Sequence, residues 1–343
     1  MPLLYEITYK PNTTPHLNSI NVDKSHKIPM TCLLHLLLLC VLCFPWSSLG
    51  SESFPPGKSQ LTFQLNGQAI EVFAYRPSNF TNGPLLVVLH GMNRNADDYR
   101  DNAIVLADTF GMLVVAPCFD TNRFRSEAYQ RGNVLKKGDP QPKSEWTYSF
   151  IPKLVEEMRR REGREEMPYY LLGHSAGGQF LVRMAGFLPG EPQRIVAANP
   201  GAHLFPTREK PFPYGFGGLP EELGNDAAIR RYLAVPLTLF LGTADTGTAN
   251  LDQTAEARKQ GATRIERGRN CFRYAETLAR ERGWPFNWSL IEVPGIGHDS
   301  RKMFASPQAQ AALFTGQCLT EPPAKAELMK RSPARSPARS PDR

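Results

Sequence analysis

The chain lacks the sequence patterns that mark nucleotide and metal sites. No Gly-x-Gly-x-x-Gly run follows a hydrophobic segment, and no Gly-x-x-x-x-Gly-Lys-Ser/Thr loop is present. Both absences argue against a dinucleotide or a phosphate-cradling site. No group of His, Cys, Asp and Glu has the spacing of metal ligands. We therefore expect a protein that works without a metal ion or an organic cofactor.

Cysteine is scarce outside one hydrophobic segment. Three of the six cysteines fall within residues 30–44, which leaves Cys118, Cys271 and Cys318. In an oxidising compartment three cysteines allow one disulfide and leave one thiol over. The pairing is open, and Cys271 with Cys318 is the pair that we favour.

Positive charge is not concentrated in the central part of the chain. The formal net charge is +7 over 343 residues, and residues 331–343 alone hold four arginines against one aspartate. The rest is only mildly basic and has no basic stripe interleaved with aromatic residues, so we expect no nucleic-acid partner. The hydrophobic content of 41% is ample for one large core and does not require two domains.

A hydrophobic segment at residues 30–44 predicts export. It is shorter than the roughly 20 residues that a membrane-spanning helix needs. Lys24 and Lys27 precede it, and the small residues Ser48 and Gly50 follow it. This order is typical of a secretory signal peptide. We expect a periplasmic or extracellular protein with no stable membrane insertion after cleavage, and a retained membrane anchor is the alternative. Met30 is a candidate for the true first residue.

Composition divides the chain into three parts. Residues 1–50 are an N-terminal extension with the signal peptide, residues 51–320 a single domain, and residues 321–343 a basic tail. The tail repeats Arg-Ser-Pro and has no apolar face to bury, so we expect it to be disordered.

Strands alternate with helices in the central part, after a hairpin turn at Asn66-Gly67. This order predicts an α/β fold with a mostly parallel sheet that is covered on both faces. Residues 118–144 and 200–225 are predicted as irregular loops. The predicted strands are Leu61–Leu65, Ala69–Tyr75, Leu85–Leu89, Met112–Ala116, Tyr169–Leu172, Arg194–Ala198, Leu233–Leu241 and Asn287–Val293. The predicted helices are Ala96–Phe110, with Asn95 or Asp97 as its cap, segments around 146–158 and 180–188, Asn270–Arg282, and one within Met303–Phe314.

The sequence Gly173-His174-Ser175-Ala176-Gly177 follows a short hydrophobic strand and precedes a helix-compatible segment. Gly-x-Ser-x-Gly in this context is typical of a nucleophile elbow, a tight turn that lifts a serine hydroxyl above a sheet. Glycine is needed on both sides because a Cβ there would collide with the neighbouring strand or helix. Ser175 is therefore the candidate nucleophile.

A serine needs a base to take its proton and a third group to orient that base. Asp245 follows the strand Leu233–Leu241, and His298 follows the strand Asn287–Val293. Loops after the carboxyl ends of parallel strands meet at one edge of a sheet. We therefore expect His298 to be the base and Asp245 the acid. Asp252 is a nearby substitute for Asp245, and Asp299 is poorly placed to hydrogen-bond the adjacent ring.

An oxyanion that develops during acyl transfer needs two aimed N–H groups. The first is expected from Ala176, which follows the nucleophile at the start of a helix. The second is expected from Met92, in the loop His90-Gly91-Met92-Asn93 after the strand Leu85–Leu89. The alternative is that His90-Gly91 is only a turn that ends the strand.

Three sets of motifs resemble the poly(3-hydroxybutyrate)-depolymerase-like esterase branch of the α/β-hydrolase superfamily. They are the run from His90 to Tyr99, the elbow around Ser175, and Gly242-Thr-Ala-Asp245; Gln260-Gly261, Arg267-Gly268 and Gly297-His298-Asp299 add to the likeness. The resemblance covers about residues 60–315. It implies an eight-stranded sheet, a Ser175–His298–Asp245 triad, and ester hydrolysis through an acyl-enzyme without a cofactor. Met92 departs from the cysteine that secreted polyester depolymerases often carry there.

The sequence therefore predicts an exported serine hydrolase whose partner is a small-molecule or oligomeric carboxylic ester, with polyhydroxyalkanoate oligomers or other polyesters among the candidates. A peptidase or acyltransferase is the alternative, because the same triad serves both chemistries. A non-catalytic binding protein on a hydrolase scaffold is a further alternative.

Overall fold

A computed structural model describes residues 53–316. The predicted extension with its signal peptide at residues 1–50, the tail at 321–343, and Cys318 lie outside the described residues. Within them, the fold is an eight-stranded sheet with helices on both faces, which confirms the predicted α/β class.

The sheet has the strand order β1-β2-β4-β3-β7-β8-β9-β10. Strand β2 runs antiparallel to both of its neighbours, and every pair from β4 to β10 is parallel. A separate two-stranded ladder joins β5 and β6. The strands are β1 Gly57–Leu65, β2 Gln68–Arg76, β3 Leu85–Leu89, β4 Leu113–Pro117, β5 Leu135–Lys136, β6 Asp139–Pro140, β7 Tyr169–His174, β8 Arg194–Ala198, β9 Leu237–Gly242 and β10 Ser289–Val293.

Helices follow most strands and cross back over the sheet. The α-helices are α1 Ala96–Asn102, α2 Ile104–Phe110, α3 Ser126–Tyr129, α4 Phe150–Arg161, α5 Ala176–Phe187, α6 Glu221–Gly224, α7 Asp226–Leu233, α8 Ala255–Arg258, α9 Arg264–Arg282, α10 Ser300–Phe304 and α11 Gln308–Gln310. Two 3₁₀ turns, Lys143–Glu145 and Thr147–Ser149, precede α4, and a π-helical turn, Ala311–Thr315, follows α11.

The central strands are buried on both faces. In β3 the side chains of Leu85, Val87 and Leu89 pack into the core under α4, α5, α7 and α9. Leu86 and Val88 point to the opposite face and pack with α1, α2 and the C-terminal helical turns. Because successive side chains of a strand alternate between faces, a strand buried on both sides has no polar position, as its sequence Leu-Leu-Val-Val-Leu shows.

The predicted hairpin is confirmed. Asn66 and Gly67 both have positive φ, at 50° and 73°, and they connect β1 and β2 in register. Two consecutive residues with positive φ give the turn that matches the twist of the flanking strands.

Several predicted elements have different bounds in the structure. The strand predicted at Leu233–Leu241 begins at Leu237, because its first residue ends α7, a helix that the sequence reading did not predict. Asn225 caps that helix by accepting a hydrogen bond from Ala228 N. The helix predicted at Ala96–Phe110 is two helices, because Ala103 takes a turn conformation (φ −90°, ψ −4°) between them. Asn95 is the N-terminal capping residue of the first helix, but its side chain bonds Asp98 instead of the backbone.

The two predicted loops are ordered and pack into the core. Phe119, Phe124 and Tyr129 of segment 118–144 are buried. Segment 200–225 buries Tyr214 and Phe216, so it is not an exposed surface loop. These aromatic side chains add apolar area to the core from both segments.

Within residues 53–316, no helix has the length and hydrophobicity to cross a membrane. Cys118 and Cys271 are not bonded to each other, and the favoured pairing of Cys271 with Cys318 stays a prediction.

Candidate active site

The site forms where the carboxyl ends of the parallel strands meet. Strand β7 leads into Ser175, β9 leads towards Asp245, and β10 leads towards His298. Because these strands are close neighbours in the sheet, their following loops lie at one edge. Residues that are 53 to 123 positions apart in sequence therefore come into hydrogen-bonding contact.

Ser175 lies in a strained turn between β7 and α5. Its backbone has φ 58° and ψ −114°, a region that non-glycine residues rarely adopt. A Cβ on Gly177 would lie 2.3 Å from Leu89 O, and a Cβ on Gly173 would lie 2.5 Å from Gly177 O. The glycines on both sides of the serine are therefore required by close backbone contacts, as the motif predicts.

The three predicted polar residues form one hydrogen-bonded chain. Ser175 Oγ lies 2.9 Å from His298 Nε2, and His298 Nδ1 lies 2.7 Å from Asp245 Oδ2. In the neutral tautomer that suits both contacts, Nδ1–H donates to the carboxylate and Nε2 accepts from the hydroxyl. Asp245 is only 2% exposed, whereas about a third of the His298 side chain is exposed.

The two competing carboxylates have other partners. Asp252 Oδ2 accepts a hydrogen bond from Tyr214 OH, and its other oxygen accepts from Thr254 N. Asp299 caps helix α10 by accepting from Lys302 N. Neither is hydrogen-bonded to the ring of His298, so the geometry favours Asp245 over its substitute.

Sequence reasoning missed a pair of buried side chains behind the base. The ring of His174 packs against that of His298, with centroids 4.5 Å apart. The hydroxyl of Tyr99 lies 3.1 Å from His174 Nδ1. Burial holds the pKa of His174 well below its usual value, and the nearby His298 and Arg264 add to this effect. His174 is thus a neutral packing partner for the exposed imidazole, and its place inside the Gly-x-Ser-x-Gly motif was the signal available.

A second missed residue is Arg264, the first residue of α9. Its Nη1 lies 3.4 Å from Asp245 Oδ1, and both side chains are 2% exposed. The sequence reading began this helix at Asn270, whereas Thr263 caps it by accepting from Glu266 N. No sequence signal identified this arginine, because its helix was predicted to start later.

His90 anchors the loop that carries the expected oxyanion donor. Its Nε2 accepts from Phe119 N at 3.0 Å, so Nδ1 carries the proton and donates to Gly91 O at 2.9 Å. Burial lowers the pKa of His90 to about 3, which keeps the ring neutral. His90-Gly91 is therefore more than a strand-ending turn, because the His90 side chain fixes the path of the chain before Met92.

The two predicted oxyanion donors lie beside the nucleophile. Ala176 is the first residue of α5, and N–H groups in the first turn of a helix have no partner within the helix. Met92 lines the cavity over Ser175. The assignment of their N–H groups to an oxyanion stays a prediction.

A cavity of about 320 Å³ opens above the serine. Most of the residues that line it are of polar type, and Met92 is the one with a purely hydrophobic side chain. The lining residues are Gly91, Met92, Asn93, Asn95, Tyr99, Asn102, His174, Ser175, Asn250, His298, Asp299, Ser300 and Arg301. Within residues 53–316, no group of three His, Cys, Asp or Glu side chains is arranged to hold a metal ion.

No protein-family model and no curated protein matches the chain, whereas solved structures do. It is 34% identical to LpqC, a poly(3-hydroxybutyrate) depolymerase from Bordetella parapertussis, over 80% of this chain and 95% of that one, with a TM-score of 0.70. It is also 34% identical to poly(aspartic acid) hydrolase-1 from Sphingomonas sp. KT-1, over 73% of this chain and 96% of that one, with a TM-score of 0.69.

These matches agree with the strand order and with the strand–turn–helix around Ser175. The chain belongs to the α/β-hydrolase superfamily and, within it, to the poly(3-hydroxybutyrate)-depolymerase-like branch.

Proposed function

We propose that this protein is a serine hydrolase that cleaves carboxylic esters through an acyl-enzyme, with Ser175, His298 and Asp245 as its catalytic triad. The observation that carries the proposal is the hydrogen-bonded chain of these three side chains, of which Ser175 and His298 line an open cavity. Membership of a hydrolase family supports the same conclusion.

The chemistry follows from the geometry. Ser175 Oγ attacks the ester carbonyl carbon while its proton passes to His298 Nε2, and Asp245 stabilises the imidazolium that forms. The carbonyl oxygen becomes an oxyanion, which the N–H groups of Ala176 and Met92 bind. When the tetrahedral intermediate collapses, the C–O bond breaks and His298 gives its proton to the departing alcohol. Water then attacks the acyl-enzyme by the same route and releases the acid.

Replacement of the nucleophile tests the proposal. We expect Ser175→Ala to lose at least about 10³-fold in kcat on a short nitrophenyl ester, because the attacking atom is gone. Ser300→Ala is the matched control, since Ser300 lines the same cavity and lies outside the triad. A fluorophosphonate should label the wild type and the control but not Ser175→Ala. Failure to label the wild type would support the non-catalytic alternative, and equal turnover by Ser175→Ala would refute the assignment.

The acid is tested by a pair of aspartates. We expect Asp245→Asn to lower kcat by about 10⁴-fold, because the amide favours the wrong imidazole tautomer. Asp252→Asn should retain activity, since Asp252 contacts Tyr214 and Thr254 instead of the base. Loss of activity in Asp252→Asn but not in Asp245→Asn would assign the acid to Asp252 instead.

The polar cavity wall bears on the substrate. Sites for long fatty acyl chains are lined mainly by apolar side chains, whereas four asparagines line this cavity. We propose that the substrates are short or oligomeric esters whose acyl part carries oxygen atoms. Hydroxyalkanoate oligomers are one example, since LpqC is named for depolymerising poly(3-hydroxybutyrate). A panel of nitrophenyl esters tests this, with kcat/KM expected to be higher for a 3-hydroxybutyryl ester than for an octanoyl ester. The opposite order would exclude it.

Amide hydrolysis is a second candidate function. A relative of equal identity is named for hydrolysis of poly(aspartic acid), a polyanion, and Arg301 lines the cavity of this chain. Release of new amino groups from poly(aspartic acid), abolished by Ser175→Ala, would favour the amide. Activity on esters alone would favour the first proposal.

We also propose that the protein is exported, on the strength of the basic, hydrophobic and small-residue order of residues 24–50. Expression in a bacterial host followed by N-terminal sequencing tests this. A mature chain that starts near residue 51 supports export, and an uncleaved chain in the membrane fraction supports the anchor instead.

A further inference from the structure

The side chain of Arg264 connects two parts of the active-site edge. Its Nη1 lies 3.4 Å from Asp245 Oδ1 and donates to Gly247 O at 3.1 Å. Its Nη2 donates to Ala249 O at 2.7 Å. The guanidinium is thus bound at once to the carboxylate that meets His298 and to the backbone of the loop that follows it.

Asp245 faces a different partner with each oxygen. Oδ2 accepts from His298 Nδ1, and Oδ1 faces the guanidinium of Arg264. A carboxylate held at only one oxygen is free to rotate about its Cβ–Cγ bond, whereas contacts at both oxygens fix its plane. Arg264 is therefore placed to keep Oδ2 on the imidazole.

The same guanidinium shapes the cavity wall. The carbonyl groups of Gly247 and Ala249 belong to the segment that ends at Asn250, which has a positive φ of 53° and lines the cavity. Thr248 O also accepts from Leu251 N, but no strand or helix contains residues 246–250. The position of this wall therefore depends largely on the two carbonyl groups that Arg264 binds.

We propose that Arg264 is a positioning residue that couples the orientation of the catalytic acid to the position of the Asn250 wall. This inference rests on the proposed function, because that function assigns Asp245 as the catalytic acid. The guanidinium presents two separate nitrogens, Nη1 and Nη2, to a carboxylate and two carbonyl groups, whereas a lysine side chain presents one ammonium nitrogen.

The coupling predicts a specific pattern of kinetic losses. We expect Arg264→Met to lower kcat by about 10²-fold, the scale of a small misplacement of a catalytic group, and to raise KM. Arg264→Lys keeps a charge near Asp245 but loses the fork, so its kcat should recover in part while its KM stays raised.

Arg267 provides a matched control on the same helix. It is fully buried, and its guanidinium donates to Gly201 O and Gly261 O without a hydrogen bond to Asp245. Arg267→Met should lower thermal stability, because the carbonyl groups of Gly201 and Gly261 lose a partner, but leave kcat per active site unchanged. This comparison separates positioning from a merely structural role.

The experiment measures kcat and KM of the full chain on nitrophenyl acetate, with active sites counted by fluorophosphonate labelling. A wild type that does not label refutes the proposed function, whatever the variants do. A wild type that labels, with Arg264→Lys kinetics equal to wild type, overturns the positioning role alone. Equal kinetic losses in Arg264→Met and Arg267→Met overturn it as well, and if Arg264→Met does not fold, the lysine variant decides.

Discussion

Acid should destabilise this protein through its buried histidines, and His203 offers the clearest test. Its side chain is fully buried, and neither ring nitrogen has a hydrogen-bond partner among the described residues. Burial, together with the charges of Arg183 and Arg267, lowers its pKa to about 3. Since the unfolded chain has a histidine pKa of about 6.5, the unfolded state binds a proton below that pH while the folded state does not.

This difference in pKa between the two states sets the direction in which stability changes with pH. Titration of this residue does not change stability above about pH 6.5, and stability falls as the pH drops from 6.5 towards 3. At pH 5 the loss from this one residue is about 2 kcal/mol, from RT ln(1 + 10^1.5), and it grows by about 1.4 kcal/mol for each further pH unit.

Urea unfolding at pH 8 and pH 5 measures the effect. In the wild type, every group that titrates between pH 5 and pH 8 contributes to the difference between the free energies of unfolding at these two pH values. In His203→Leu that difference should be smaller by about 2 kcal/mol. His203→Gln should shrink it equally, because it also removes the titration. At pH 8 only the leucine variant should gain stability, since it alone removes the unpaired polar atoms. An unchanged pH difference in both variants would refute the reasoning.

Three further predictions concern the frame of the site. Gly177→Ala should lower the free energy of unfolding by about 1–3 kcal/mol, because the new Cβ would collide with the backbone at the end of β3. Gly247→Ala should change it by less than about 0.5 kcal/mol, because nothing lies within 4 Å of a Cβ there. Thermal unfolding distinguishes them, and equal melting points would contradict the close-contact argument. Asn225→Ala should cost about 1 kcal/mol through the lost cap of α7, read from urea midpoints, and an unchanged midpoint would mean that the cap contributes nothing. Tyr99→Phe should lower the free energy of unfolding by about 1–3 kcal/mol in the same assay, because buried His174 loses a hydrogen-bond partner. A constant midpoint would mean that water replaces the hydroxyl.

The sheet and the candidate triad were readable from the sequence for a physical reason. Strand β3 is buried on both faces and has no polar residue, and β8 was predicted with its observed bounds. Ser175 stands in a turn whose glycines the backbone contacts require, and Asp245 and His298 directly follow buried strands. Each of these features depends on local sequence, so pattern alone exposes it.

What the sequence concealed depends on contacts between distant segments. Phe119 and Tyr129 lie in a polar stretch, and only the fold shows that they pack together beneath His90. Helix α7 was missed because its last residue, Leu233, was assigned to the following strand. Arg264 has no local signature, since its acceptors are a carboxylate and two carbonyl groups from a loop 15 to 19 positions earlier.

The buried arginines also explain why one histidine differs from the others. Irregular loops leave carbonyl groups inside the protein, and Arg183, Arg264 and Arg267 satisfy several of them. Their positive charges oppose protonation of His174 and His203. Of the four histidines in the part of the chain that the structure describes, His298 alone is hydrogen-bonded to a carboxylate, and about a third of its side chain is exposed. In the proposed mechanism Asp245 faces the imidazolium that forms when His298 takes the proton of Ser175, whereas burial lowers the pKa of His90, His174 and His203.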